Sequence, residues 1–218
     1  MIDRKAIESA VAELLPDAQR FLCDIMRFPS TPGQEHDEML FLEKAFAKLP
    51  VKVERINLSE AIKLDPDYCD PVPGIVYDGR FNLRIRIPGT GEGRKLMFNA
   101  HTDAVPPSDG MTEAWNPRFE DGKIYGRGAC DDKGQVAVFY LVCKVIEKLG
   151  LKFKGDIVGH LVNEEENGGN GSLAMARTGE KADACIVLEP TESRILTSIR
   201  GAVWFKIAFR GVAGHSGQ

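Results

Sequence analysis

Four short segments of this 218-residue chain hold side chains able to bind a metal ion or move a proton: His101-Thr102-Asp103, Asp131-Asp132, Glu164-Glu165-Glu166 and Glu189. One imidazole with several carboxylates suits zinc, with manganese or cobalt as substitutes, and the lack of clustered thiolates disfavours a purely structural zinc. His101 and Asp103 are two residues apart, so in extended chain both side chains point the same way. Asp103 is then placed to accept the second imidazole N–H, which fixes the tautomer and raises ligand basicity. A carboxylate shared by two ions about 3.5–4 Å apart would make a two-metal hydrolytic centre, and Asp131 is the natural candidate. Each feature alone has a bland explanation. His-x-Asp is common at strand ends, a Glu triplet is usually a solvated face, and Glu-Pro after a strand is usually a turn.

Their weight comes from the elements that must carry them. Leu96 to Ala100, Ile157 to Val162 and Ala184 to Leu188 are short apolar runs that read as strands, and the candidate ligands follow each one directly. Asp131 sits in a glycine-rich turn feeding the apolar helix Gln135 to Leu149. In open α/β sheets ligands bind in the crevice beyond the carboxyl ends of the strands, so residues far apart along the chain would converge there. Around this frame the spacing from Ile7 to Ile25 predicts a helix, split by Pro16. A second helix is expected over roughly Glu35 to Lys48, strands at Val51 to Ile56 and Leu83 to Ile87, and a short helix at Ser172 to Arg177. Residues 57 to 79 form a long connection without a clear period. The glycine cluster Pro88 to Gly93 lacks the ending of a phosphate loop and precedes a strand, so it reads as a hairpin turn. The predicted class is α/β, with a largely parallel central sheet flanked by helices.

Bulk properties exclude other classes. A net charge of −4 with no basic run leaves no footprint for nucleic acid or an anionic membrane. The longest apolar run, Val136 to Cys143, falls far short of the roughly 20 residues that span a bilayer. The N-terminus lacks the apolar core of a signal peptide. Five scattered cysteines without a CxxC pair argue against a disulfide framework and suit a reducing cytosol.

Five motifs in order resemble one family: His101 to Pro106, Trp115-Asn116-Pro117, Gly122 to Gly134, Glu165 to Gly171, and Leu188 to Thr191. It is the metallohydrolase family of acetylornithine deacetylase, succinyl-diaminopimelate desuccinylase, aminoacylase and glutamate carboxypeptidase. The resemblance implies a zinc-exopeptidase-like catalytic domain with two divalent ions, and hydrolysis of an amide bond in an N-acyl amino acid or small peptide. It implies that Asp131 bridges the ions, that His101 and Glu189 complete one, that Glu166 binds the other, and that Glu165 is the general base. A cis peptide is implied at Asp131–Asp132. The register of the triplet stays open between Glu164-Glu165 and Glu165-Glu166, with Gly168 to Gly171 favouring the latter.

By the same resemblance residues 1–199 are an incomplete catalytic domain and 200–218 begin a lid and dimerisation domain, with Ala202 to Phe209 its first strand. His215 would reach a neighbouring subunit's site in a homodimer and stabilise the oxyanion. The family's last metal-binding His has no counterpart, since His36 falls in a helix and His160 in a buried strand. The chain is therefore expected to be a fragment or a truncated relative. Two other classes are open: a thiol enzyme built on Cys130, which lies just before a helix N-terminus, and a non-catalytic scaffold.

Overall fold

The computed structural model describes residues 3–69, 72–199, 201, 205, 207–211 and 214. Helix α1 (Arg4–Met26) and helix α2 (His36–Phe46) precede strand β1 (Lys52–Asn57) and strand β2 (Phe81–Ile87). Then follow β3 (Leu96–His101), a small hairpin β4 (Arg118–Glu120) and β5 (Lys123–Tyr125), helix α3 (Lys133–Lys148), β6 (Ile157–Val162), α4 (Asn170–Arg177) and β7 (Ala184–Val187).

The main sheet has the order β1-β2-β6-β3-β7. It is α/β with helices on both faces, and the sheet is mixed. The strands β6, β3 and β7 run parallel, while β1 and β2 are antiparallel additions on one side. On one face Leu83, Ile85 and Leu161 meet Phe21 and Ile25 of α1, Leu42 and Phe46 of α2, and Val136 and Phe139 of α3 in a single core. Phe139 lies directly on the sheet because residue 159 is glycine; a Cβ there would stand 2.2 Å from the ring. Alternation along β2 and β6 turns Arg84, Arg86 and His160 to the opposite face, where α4 packs against β6.

Two expectations are corrected. Pro16 does not split the first helix: α1 is continuous, and Pro16 sits on its exposed face, where water can hydrate the carbonyl left without a donor. The Pro88–Gly93 cluster is not a hairpin turn, because β6 lies between β2 and β3. The segment instead crosses over the entry to β6, with Thr90 N donating to Phe153 O at 2.8 Å and Gly91 N to Lys154 O at 3.1 Å. A Cβ at residue 89 would come within 2.4 Å of Lys154 O, so the glycine serves close backbone crossing. The stretch between the His101 motif and Asp131 adds a second, smaller sheet. It contains the β4–β5 hairpin, whose Asp121-Gly122 turn has both φ values positive, at 50° and 74°. Asp-Gly between short alternating runs is the sequence signal for such a turn. Of the proposed lid strand, Ala202 to Phe209, residues 202–204 and 206 lie outside the described residues and the other four are not in a strand, while His215 lies outside them.

Candidate metal centre

Strand β3 delivers His101 at its last residue, and Thr102 and Asp103 follow in a fully buried segment. Thr102 N donates to Val162 O at 2.9 Å, and its hydroxyl lies 3.0 Å from Asn163 Oδ1. Ser30, from the proline-rich loop after α1, donates to Thr102 O at 2.9 Å and accepts from Ala104 N at 3.0 Å through its own carbonyl. The His-Thr-Asp segment is thus clamped between β6 and that loop. The turn carrying Asp131 and Asp132 is anchored by Lys133, the first residue of α3. Its buried ammonium donates to Ile25 O at 2.9 Å and Phe28 O at 2.8 Å, and pairs with Glu38 at 2.9 Å. The Asp131–Asp132 peptide is cis, as the resemblance implies.

His101 is the hub. Its Nδ1 faces the carbonyl of Asp103 at 3.0 Å, with the Asp103 carboxylate at 3.4 Å. The expected carboxylate partner is therefore beside the ring, but the nearer acceptor is the same residue's backbone. The Asp103 carboxylate takes instead the backbone N–H groups of Glu165 at 3.0 Å and Glu166 at 3.1 Å. One buried acid thereby ties the imidazole to the glutamate turn. On the other ring edge, Nε2 stands 2.9 Å from Asp131 Oδ1 and 3.9 Å from Glu165 Oε2.

Two groups of potential ligand atoms each lie within 4.8 Å of one another: His101, Asp131 and Glu166, and His101, Asp132 and Glu189. Atoms sharing one zinc at about 2.0–2.2 Å lie at most about 4.4 Å apart, so small side-chain adjustments would suffice. Glu164 faces away, wholly buried among Tyr77, Arg80 and Asn170. Neither His36, which packs edge-on against the Phe81 ring, nor His160, which is bonded to Glu180, belongs to either group. The rings of His101 and His160 are likewise engaged elsewhere than with the exposed Cys130.

Asp132 is a residue that reading the sequence left without a role. Its Oδ2 accepts the backbone N–H of His101 at 3.1 Å. Among the described residues its Oδ1 is buried without a hydrogen-bond partner, and such an orphan is costly unless a cation or donor satisfies it. The available signal was the doubled Asp in a turn that feeds a helix N-terminus.

The electrostatics agree with a cation-binding role. Burial opposes the charged form of His101, yet the carboxylates of Asp103, Asp132 and Glu165 outweigh it and push its pKa up to about 10. Burial, reinforced by neighbouring acids, raises Glu189 to about 7 and Asp132 to about 9, and lifts Glu165 and Glu166 above the usual carboxylate range. Carboxylates that repel each other this way are relieved by a divalent cation. The donor types, their spacing and the orphaned Asp132 oxygen all fit such a group.

The same stretch stands out by comparison with known proteins. Residues 97–200, a little under half of the chain, match the model of Peptidase family M20/M25/M40. That segment holds the whole centre. The fold also matches solved structures. The di-peptidase Dug1p from Saccharomyces cerevisiae aligns with a TM-score of 0.68 at 17% identity, over 84% of this chain and 40% of that one. Human carnosine dipeptidase 1 aligns with a TM-score of 0.68 at 16% identity, over 84% of this chain and 40% of that one. A tripeptidase from Staphylococcus aureus gives 0.61 at 23% identity, over 79% of this chain and 42% of that one. The chain therefore spans about two fifths of the length of these proteins. No helix among the described residues is long and apolar enough to cross a membrane.

Proposed function

We propose that this chain carries the metal-binding part of an M20-type hydrolase that cleaves an amide bond in a small peptide or N-acyl amino acid. One observation carries the reading: His101 and the acids Asp131, Asp132, Glu166 and Glu189, spread over 89 positions of the sequence, gather at a single sheet edge. The family match over residues 97–200 and the peptidase neighbours support peptide substrates, and the motif resemblance extends the class to N-acyl amino acids.

In this reading His101, Asp131, Glu166 and Glu189 would hold two divalent ions, zinc by preference, with Asp131 as the shared carboxylate; the ligand groups put Asp131 beside Glu166 and Asp132 beside Glu189, so Asp132 would be at hand for the Glu189 position. When bound, the ions supply Lewis-acid polarisation of the scissile carbonyl and a water acidic enough to deprotonate near neutral pH. The Glu165 carboxylate, half-exposed and 3.9 Å from His101 Nε2, removes the proton from the attacking water and returns it to the departing nitrogen. Its raised pKa brings it toward the range in which one group serves as base and then acid. Asp103 acts indirectly: it holds the Glu165 and Glu166 amides and the His101 ring in one arrangement. His215 stabilises the developing oxyanion in the neighbouring subunit of a homodimer. Residues 1–199 belong to the catalytic domain and 200–218 open the lid. Five free cysteines support a cytoplasmic location.

The test is metal content together with peptide hydrolysis in the complete protein. Two ions per chain are expected, with turnover abolished by a chelator. Glu165→Ala should keep both ions and lose about 10²–10⁴ in turnover. A parent that takes up no metal, or a Glu165→Ala variant of normal activity, would overturn the assignment.

A further inference from the structure

Glu164 is the acid of the triplet that the centre leaves unused, and it is completely buried. Its φ of +61° places a residue with a Cβ in the left-handed region, a conformation that costs about 1–3 kcal/mol unless the surroundings enforce it. Glycine or asparagine is the usual occupant of such a position. A glutamate there makes sense if its side chain is what holds the turn.

Three donors hold that side chain. Tyr77 Oη and Asn170 Nδ2 both donate to Oε1 at 2.9 Å, and Arg80 Nη1 donates to Oε2 at 3.1 Å. The other terminal nitrogen of Arg80 donates to both oxygens of Glu35 at 2.8 Å. The end of the 58–80 connection and the start of α4 therefore converge on one carboxylate, and the approach to α2 reaches it through Arg80. Across the same turn Asp103 accepts the amides of Glu165 and Glu166. The turn is gripped from both sides, and its two free carboxylates emerge between the grips.

We infer that Arg80, Tyr77 and Asn170, acting through Glu164 and steadied by Glu35, are positioning residues that hold the left-handed turn presenting Glu165 and Glu166 to the metal centre. The functional half of this inference rests on the hydrolase reading above; the structural half does not. A buried ion pair that merely added stability would lower the melting temperature and leave the relative strength of the two metal positions alone. A positioning device acts selectively on the position that Glu166 completes.

The experiment compares the parent with Glu164→Gly, Glu164→Gln and Tyr77→Phe in two measurements. One is amide hydrogen exchange of the metal-free chain, read at Glu165 and Glu166. The other is titration with cobalt(II), followed by its absorption spectrum. Glu164→Gly relieves the backbone strain but removes the grip, and it should lose exchange protection at both amides. It should also weaken the Glu166-containing position about 10–100-fold, while the Glu189-containing position keeps its affinity. Glu164→Gln retains one acceptor oxygen and should fall between parent and glycine variant. Tyr77→Phe removes a single donor and should show the same pattern more weakly, which keeps the test available if the glycine variant does not fold. Parent-like protection and affinity in Glu164→Gly, or equal weakening of both positions, would overturn the inference. A parent that binds no cobalt(II) would instead defeat the hydrolase reading, and the exchange data would still decide whether the grip exists.

Discussion

Two buried histidines on neighbouring strands of one sheet meet opposite surroundings. His101 ends β3 among Asp103, Asp131, Asp132 and Glu165, and among the described residues no lysine or arginine is ion-paired with the acids of that edge. His160 lies in the adjoining strand β6, level with Asn99, and its Nε2–H donates to Glu180, 3.2 Å away. Glu180 is in turn ringed by Arg84 and Arg86 at 2.6 Å and Lys95 at 3.3 Å. Burial lowers the pKa of His160 despite Glu180, with Arg84 and Arg86 adding to the effect. Burial also opposes the charge of Glu180, but His160, Arg86 and Arg84 outweigh it and bring its pKa down to about 2. One cluster is neutralised by cations of the chain itself, so it is complete and structural. The other has acids in excess and, among the described residues, a buried Asp132 oxygen without a partner, which suits cation binding.

The sharpest way to break this contrast is His101→Ala. It removes the imidazole assigned to the Glu189-containing position, and its free Nε2 can serve one ion only, so cobalt(II) uptake at that position should be lost; retention there would show that the acids suffice alone. A smaller effect is expected from pH. His101 and Glu189 must give up protons to bind an ion, so affinity should fall as pH drops from 8 to 6, by about tenfold per pH unit for each proton displaced. A pH-independent titration would mean that neither group is a ligand.

The compensated cluster should respond in stability alone. Glu180→Gln is expected to cost about 3 kcal/mol at neutral pH, since it strips a buried carboxylate from its cations. Because the folded pKa of Glu180 lies below its unfolded value of 4.5, its contribution is present above pH 4.5 and lost as pH falls toward 2. Denaturant unfolding of parent and variant should therefore converge in acid. The smallest effect is His160→Gln, about 1 kcal/mol for one hydrogen bond, with metal uptake unchanged. Altered metal uptake there would show that the clusters are coupled.

Much of the acidic edge was legible in the sequence. Apolar runs of strand length ended at His101, before the Glu triplet and before Glu189, and strands of that kind put their carboxyl ends together once they are parallel neighbours. The role of Glu164 was not legible, because three consecutive glutamates are chemically alike and only their partners tell them apart. Those partners, Tyr77 and Arg80, lie more than 80 positions away along the chain. The part played by Asp132 was hidden for a related reason: its contact with the His101 amide depends on how α3 is pinned by Lys133. The hairpin expectation at Pro88 to Gly93 failed because local glycine content reports a tight path and says nothing of which strand comes to lie alongside.

Residue types, spacing and apolar periodicity determined by themselves that this is an α/β chain with an imidazole and several carboxylates at strand ends, since those properties are local and survive without knowledge of partners. Strand order, the insertion of β6 between β2 and β3, the inward turn of Glu164 and the outward turn of Glu165 and Glu166 were decided by the assembled structure alone. They depend on which distant groups can neutralise and hydrogen-bond one another once water is excluded, and that choice is made only when the whole core closes.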